Sequence, residues 1–203
     1  MGWWRTTGLR VLVHTGALLP LIWIAWRFTQ DNLTANPIRE IQLETGRITL
    51  TLLLLSLACT PVFHASGFVP VRQWRRTLGL YAFMYACLHL LNFIGLDYGF
   101  NFPQIWGAIA DKRFPLAGLA AFVILVPLAL TSTRGWAERL GKNWKRLHRL
   151  VYAAAVAGVI HYVWVAKSQA STTAPFIYGA VLATLLLVRI PMVKKVISRP
   201  GAE

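Results

Sequence analysis

The segment RLVYAAAVAGVIHYVWVA, residues 149–166, carries one permanently charged side chain, Arg149, at its start. A helix needs about 17–25 mostly apolar residues to cross the hydrocarbon core of a bilayer. The segment is therefore predicted to be a transmembrane helix. A single histidine, His161, lies inside it.

Five further windows of the same kind flank this segment along the chain. They lie at about 9–28, 45–63, 77–96, 115–131 and 175–193. No internal repeat, low-complexity tract or long linker separates them. The sequence thus predicts an all-α fold, an integral membrane bundle of six transmembrane helices that forms a single domain over residues 1–203.

The charge distribution fits a membrane protein and excludes a nucleic-acid-binding one. The chain is 56% hydrophobic, has only 7 acidic residues and carries a net charge of +14. Its basic residues form short clusters between the apolar windows, which is the pattern of loops at a lipid surface. Membrane lipids are therefore expected partners and nucleic acid is not.

The same charges predict the orientation of the bundle. Of the 21 basic residues, 15 lie in the N-terminal segment, the 64–76 and 132–149 connections and the C-terminal end. Lys and Arg concentrate in cytoplasmic loops. Both termini are therefore predicted to be cytoplasmic, and the segments 29–44, 97–114 and 167–174 are predicted to face the opposite side.

Two connections contain apolar residues at helical spacing. The 132–149 connection is expected to form one interfacial amphipathic helix, and the 97–113 connection a shorter one with exposed apolar side chains. The residues are Trp136, Leu140, Trp144 and Leu147 in the first, and Phe102, Ile105, Trp106 and Ile109 in the second. Either helix could simply anchor at the interface or could serve a binding role.

The cysteines give no sign of a metal or covalent cofactor site. Cys59 and Cys87 both lie inside apolar windows, and no C-x-x-C motif occurs. Zinc sites, iron–sulfur clusters and covalently attached heme therefore lack their usual ligands. Two small buried side chains are the expected role.

Away from their ends, where the arginines lie, the predicted spans have histidines as their main ionisable residues, and they contain no Asp, Glu or Lys. His89 lies twelve residues after Thr77, and His161 lies twelve after Arg149, on two helices that enter from the same side. Both side chains are then roughly 18 Å deep. Two histidines at one depth are predicted to ligate the iron of a b-type heme from its two faces. The alternative is two unrelated polar residues that bond to neighbouring helices.

Three other histidines could serve a second heme near the cytoplasmic edge. His148 lies thirteen residues before His161, and His64 and His14 are candidate partners at that edge. On an ideal helix, His148 and His161 would point about 140° apart. An irregular start near Leu147 would be needed to aim both inward.

Five stretches together resemble the MsrQ family, also called YedZ, within the ferric-reductase and NADPH-oxidase-like superfamily. The similarity spans nearly the whole chain, and the pattern LGKxWxxLHxLxY…IHYxW is its most specific part. The stretches are HTGALLP (14–20), NPIREIQLETGR (36–47), RRTLGLYAFMYACLHL (75–90), TSTRGWAERLGKNWKRLHRLVY (131–152) and IHYVWVAK (160–167).

The resemblance implies a multi-pass protein of the bacterial inner membrane that carries one or two b hemes. Family histidines correspond to His89, His148 and His161, whereas His64 is not part of the motif. Such proteins pass electrons from the quinone pool to a periplasmic molybdopterin enzyme, MsrP, which forms a heterodimer with them. The partner is the catalytic reductase for methionine sulfoxide in oxidised proteins. FMN is also associated with the family.

Other functions remain open on the sequence alone. The chain has no G-x-G-x-x-G motif and no room for a nucleotide domain, so it is not expected to oxidise NADPH unaided. Another transmembrane cytochrome b with a different acceptor would share all the spacings above. A small transporter with histidines along its path would differ by lacking a heme absorbance band.

Overall fold

A computed structural model describes residues 3–167 and 173–190, with side chains from residue 7 onward. It is all-helical, and no strand occurs within these two ranges, which confirms the all-α part of the predicted fold class. The chain forms two compact units, one running to Gly99 and resuming at Leu187, the other spanning Phe100–Leu186. The single-domain organisation stays a prediction.

The first unit contains three long helices. They are α1 (Trp3–Thr29), α2 (Pro37–Ser66) and α3 (Pro70–Leu91), and a π-helical segment (Asn92–Asp97) continues α3. The pair α2 and α3 is the most extensively packed in this unit. Both helices contribute nearly fully buried side chains, Leu53 and Leu57 from α2 and Ala82 and Tyr85 from α3. Burial of these apolar side chains holds the pair together.

The α2 ends are capped in ways the sequence makes possible. Asn36 accepts a hydrogen bond from the Arg39 amide at 3.0 Å, and Pro37 occupies the first helical position, where no amide is needed. At the other end Gly67 has φ +70° and its amide bonds to the Phe63 carbonyl at 2.8 Å. This left-handed glycine allows the chain to turn directly into α3.

Three charged side chains near the predicted non-cytoplasmic end of this unit form ion pairs. Arg27 of α1 contacts Glu40 at 2.6 Å and Glu44 at 3.1 Å, both on the first turns of α2. Arg27 also donates to the Asn32 carbonyl at 2.9 Å, and Glu40 accepts from the Thr34 amide at 2.6 Å. The cluster joins α1, the connection and α2.

The second unit contains α4 (Phe102–Asp111), α5 (Arg113–Leu130), α6 (Arg134–Leu140), α7 (Lys142–His148), α8 (Val151–Lys167) and α9 (Thr173–Leu187). Here α5 and α8 form the most closely packed pair. Buried small side chains, Ala121 on α5 and Ala154 and Ala155 on α8, allow these helices to approach closely.

Five of the six predicted spans coincide with helices long and apolar enough to cross a membrane. These are Thr7–Thr29, Pro37–Ser66, Pro70–Asp97, Arg113–Leu130 and Lys142–Lys167. The sixth window, 175–193, overlaps the shorter apolar helix Thr173–Leu187. Residues 191–193, the basic residues Lys194, Lys195 and Arg199, and most of segment 167–174 lie outside the described ranges. Six spans and cytoplasmic termini stay predictions.

Two details of the predicted surface helices are wrong. The 132–149 connection is two short helices, because Gly141 between them has φ +48° and ψ −121°, a conformation outside any α-helix. In α4, Phe102 and Trp106 are 70% and 73% exposed as predicted, but Ile105 is only 8% exposed. Ile105 therefore lies on the buried side of α4, a helix that packs on α5.

Candidate histidine ligand sites

His89, on the last turn of α3, contacts the first turns of α2. Its Nδ1 lies 3.0 Å from the Gln42 carbonyl oxygen. A carbonyl can only accept, so Nδ1 carries the hydrogen and donates it. Nε2 then holds the ring's lone pair and lies 3.1 Å from the side-chain nitrogen of Gln42, which donates to it. The tautomer of His89 is therefore fixed by α2.

A glycine makes this contact possible. A Cβ atom at Gly46 would lie 3.0 Å from Cε1 of His89 and 3.2 Å from Nδ1, closer than ordinary packing permits. Gly46 follows Gln42 by four residues, and helical side chains point back toward the preceding turn. A side chain at position 46 would therefore cover the Gln42 carbonyl. Its absence leaves the second lone pair of that oxygen to the histidine.

Asn92 sets the orientation of the Gln42 side chain. Its Nδ2 donates to Gln42 Oε1 at 2.6 Å and to the Ile38 carbonyl at 3.1 Å. Asn92 is 4% exposed and begins the π-helical segment, a local geometry often found at functional sites. Its Oδ1 is buried without a hydrogen-bond partner among the described residues. The asparagine and glutamine thus form a polar network one turn beyond His89.

His161, on α8, repeats the arrangement in the second unit. Its Nδ1 donates to the Phe114 carbonyl at 2.7 Å, at the start of α5. A Cβ at Gly118 would lie 2.9 Å from Nδ1 and 3.0 Å from Cε1. Gly118 again follows the accepting residue by four positions. The second unit therefore seats its histidine on a backbone carbonyl exposed by a glycine, as the first unit does.

The two arrangements share their spacing along the chain as well. In each, the histidine follows the residue whose carbonyl it bonds by 47 positions. Both histidines donate through Nδ1, which places the lone pair on Nε2. Metal-binding histidines commonly donate their other ring nitrogen to a carbonyl in this way. The tautomer at His89 and His161 therefore fits a ligand of heme iron through Nε2. At His89, ligation would replace the hydrogen bond that Nε2 accepts from the Gln42 side chain.

His148 is held differently. Its Nε2 lies 3.0 Å from the Thr131 hydroxyl, which itself donates to the Pro127 carbonyl at 2.6 Å. Because the single hydroxyl hydrogen is used there, Nε2 of His148 must donate. The ring also stacks on Trp144 at 4.0 Å, and Trp144 donates to the Thr131 carbonyl at 2.8 Å. Iron ligation through Nε2 would require this bond to break, and the ligand role of His148 stays a prediction.

The irregular start that the prediction required is present. Helix α7 ends at His148, and α8 begins at Val151. Between them, Arg149 and Leu150 make hydrogen bonds to residues three positions earlier, at 3.3 and 3.0 Å. The ideal 140° separation between His148 and His161 therefore does not apply.

The two remaining candidates lie in the first unit. The His14 Nδ1 lies 2.8 Å from the Tyr81 hydroxyl, and the two rings meet edge to face. His64 is half-buried in the last turn of α2, with its ring 5.5 Å from that of Phe63. Their roles as heme ligands stay predictions.

No cluster of three or more His, Cys, Asp or Glu side chains suited to a metal ion occurs in the part of the chain that the structure describes. Sequence reasoning missed Gln42, Gly46, Asn92, Gly118 and Thr131, which support the histidines. A signal existed only for Asn92, a polar residue within an apolar run three positions after His89.

A match to a protein family and matches to individual proteins agree on the family of this chain. Residues 45–159 match the family described as ferric reductase like transmembrane component. A protein of Rhodospirillum rubrum named protein-methionine-sulfoxide reductase heme-binding subunit MsrQ is 47% identical over 92% of the chain and 89% of its own length. Relatives with the same name in Caulobacter vibrioides and Xanthomonas axonopodis are 43% and 42% identical, over 88% and 87% of the chain and 85% and 83% of their own lengths. No solved structure matches.

Proposed function

Since the chain belongs to the MsrQ family of ferric-reductase-like transmembrane proteins, we propose that it is the heme-binding membrane subunit of a methionine sulfoxide reductase system. The observation that carries the proposal is an arrangement found in both units, at His89 and at His161. In each, the histidine Nδ1 donates to a backbone carbonyl that a glycine four residues later leaves uncovered. We call this arrangement the histidine seat. Each holds a neutral imidazole, with its lone pair on Nε2, on a helix of a multi-pass membrane protein. Imidazole in that form is a ligand for iron.

His89 and His161 would hold a b heme through Nε2. The pairing of these two residues rests on their equal distance in sequence from the predicted cytoplasmic edge. A bound heme supplies reversible one-electron chemistry at its iron. The carbonyls of Gln42 and Phe114 keep each imidazole in the ligating tautomer and increase its basicity. His148 would ligate a second heme, with His64 or His14 as its partner.

The electron donor would be the quinol pool of the bacterial inner membrane. Quinols dissolve in the bilayer, where a multi-pass membrane protein can bind them directly. Family resemblance also suggests FMN, for which no residues are proposed. Catalysis, the reduction of methionine sulfoxide in oxidised proteins, would belong to the partner.

The partner would be a periplasmic MsrP-like molybdopterin reductase that forms a heterodimer with this chain. The charge distribution predicts that segments 29–44 and 97–114 face the periplasm. Helix α4 lies in the second of these and exposes Phe102 and Trp106. Large aromatic side chains dominate the energetics of protein interfaces, so α4 is the proposed docking platform.

The proposal is tested with the intact protein in lipid nanodiscs and with proteins it captures from a periplasmic extract. We expect a Soret band that shifts on dithionite reduction, co-purification of a molybdopterin protein, and quinol-driven reduction of methionine sulfoxide only when both proteins are present. A protein that folds and inserts but never binds heme would contradict the proposal. Capture of a different acceptor would instead support another cytochrome b function.

A further inference from the structure

Among the described residues, α1 and α3 are joined by the three polar contacts given next, and none of these belongs to the histidine seats. Arg10 donates to Gln73 Oε1 at 3.0 Å, His14 contacts the Tyr81 hydroxyl at 2.8 Å, and the Tyr85 hydroxyl donates to the Ala17 carbonyl at 2.8 Å. The third is buried, with Tyr85 fully inaccessible. The other two lie on the exposed surface of the helix pair.

His14 occupies an unusual place for an ionisable residue. It lies seven residues after Thr7, where the apolar span begins, and so roughly 10 Å along the helix axis. Its neighbours Val11 and Leu12 are 59% and 67% exposed, and His14 itself is exposed. Helix α1 is long and apolar enough to cross a membrane, and His14 is an exposed ionisable side chain within it. Polar residues in such positions are costly and are usually retained for function.

The His14–Tyr81 pair can both donate and accept a hydrogen bond at its outer nitrogen. If the Tyr81 hydroxyl donates to Nδ1, Nε2 carries a hydrogen and can donate to a carbonyl. If Nδ1 donates to the Tyr81 oxygen, Nε2 carries the lone pair and can accept from a hydroxyl. A quinone presents a carbonyl, and the corresponding quinol presents a hydroxyl. One shift of tautomer therefore suits both redox forms of the same ligand.

We propose that His14 and Tyr81 bind the headgroup of a lipid-soluble quinone or quinol that approaches from the bilayer. The inference rests on the proposed function, because it gives the quinol donor a site. It leaves His64 as the candidate partner of His148 in a second heme. The competing explanation is that the pair only pins α1 to α3. The buried Tyr85 contact already joins the same two helices with a bond of the same length, so it provides a matched control for that explanation.

The test compares His14→Leu, Tyr81→Phe and Tyr85→Phe in the heme-loaded full-length protein in nanodiscs. Heme reduction by decylubiquinol is followed at increasing quinol concentration, with dithionite as a reductant that needs no site. A photoreactive azidoquinone, mapped by peptide mass spectrometry, reports binding independently of electron transfer. We expect the KM for decylubiquinol to rise about tenfold in His14→Leu, as for a lost hydrogen bond, and several-fold in Tyr81→Phe.

Labelling of α1 and α3 peptides should fall in both variants, whereas Tyr85→Phe should stay within about twofold of the natural protein. A natural KM with natural labelling in His14→Leu would overturn the inference, as would an equal loss in Tyr85→Phe. Loss of a heme band in His14→Leu would also overturn it and would make His14 a heme ligand. If the natural protein is reduced by flavin but never by quinol, the donor in the proposed function fails instead.

Discussion

Gly118 and His161 lie so close together that a methyl group at position 118 would stand 2.9 Å from Nδ1 of the imidazole. The glycine exposes the Phe114 carbonyl, and the histidine donates to that carbonyl at 2.7 Å. Gly46 and His89 are related in the same way in the other unit. The first two predictions follow from these contacts.

Replacing His89 or His161 with Ala should abolish the absorbance of the heme that these two residues are proposed to ligate. The imidazole is the proposed iron ligand, and alanine cannot replace it. The measurement is the dithionite-reduced minus oxidised spectrum of purified protein, normalised to protein content. Cys87→Ala, on the same helix as His89 and also half-buried, is the matched control and should keep its spectrum. Natural spectra in both histidine variants would refute the assignment.

Gly118→Ala should weaken heme binding without unfolding the protein. The added methyl group pushes the His161 ring off its carbonyl, and overpacking of this kind costs about 1–3 kcal/mol, or roughly tenfold in affinity. Heme titration of the apoprotein measures the change. Gly107→Ala serves as the control, because a Cβ there meets nothing within 4 Å. Equal affinity in the two variants would show that the glycine contact does not position the ligand.

His148→Ala should remove one heme from a protein that holds two, and leave the His89 and His161 heme in place. The heme-to-protein ratio by pyridine hemochromogen assay decides this. Thr131→Val is an informative companion because it removes the hydroxyl that accepts from Nε2, and we expect it to retain both hemes. An unchanged ratio in His148→Ala would assign the residue to its Thr131 and Trp144 contacts alone.

The purified protein should be reduced by a quinol or by reduced flavin, but not directly by NADH or NADPH. The chain contains no G-x-G-x-x-G motif to bind the pyrophosphate of a nicotinamide cofactor. Stopped-flow absorbance at the Soret band, with each reductant under anaerobic conditions, provides the comparison. Heme reduction by NADPH with no second protein present would contradict this expectation.

Trp106→Asp, or charge reversal of Lys112 and Arg113, should slow electron transfer to the partner with no change in the heme spectrum. Trp106 is 73% exposed on α4, and a buried aromatic contact at an interface is worth about 2 kcal/mol or more. Trp136→Asp, on the predicted cytoplasmic side and 42% exposed, is the control. Unaltered transfer in all α4 variants would move the docking site elsewhere. Labelling of an introduced cysteine at 106 only from the cytoplasm would overturn the topology.

The sequence was sufficient to predict where most of the helices lie, but not where a helix is interrupted. Apolar length decides where a chain can cross a bilayer, so five spans were predictable from composition alone. The interruption at Gly141 was not predictable, because glycine is also tolerated within helices. Only the backbone geometry shows its φ of +48°. Burial of Ile105 depended likewise on the tertiary packing around α4, which helical periodicity does not specify.

In the candidate site, the histidines could be predicted from the sequence, whereas the residues that support them could not. The histidines could be recognised because they are ionisable residues within otherwise apolar segments. Their supports could not be recognised, because the accepting group in each seat is a backbone carbonyl, and the side chains there, Gln42 and Phe114, share no chemistry. Inspection of residue types therefore found no repeat, although the same geometry occurs at the same 47-residue spacing in both units.

The seat has a consequence for protein engineering. Its acceptor belongs to every amino acid, so no point substitution at the accepting position deletes it, and only the glycine and the histidine are specified by side chain. A designer could transplant the pair into an unrelated apolar bundle by placing glycine four positions after a chosen carbonyl and histidine on the facing helix. An imidazole ready for a metalloporphyrin would then require two positions rather than a polar network.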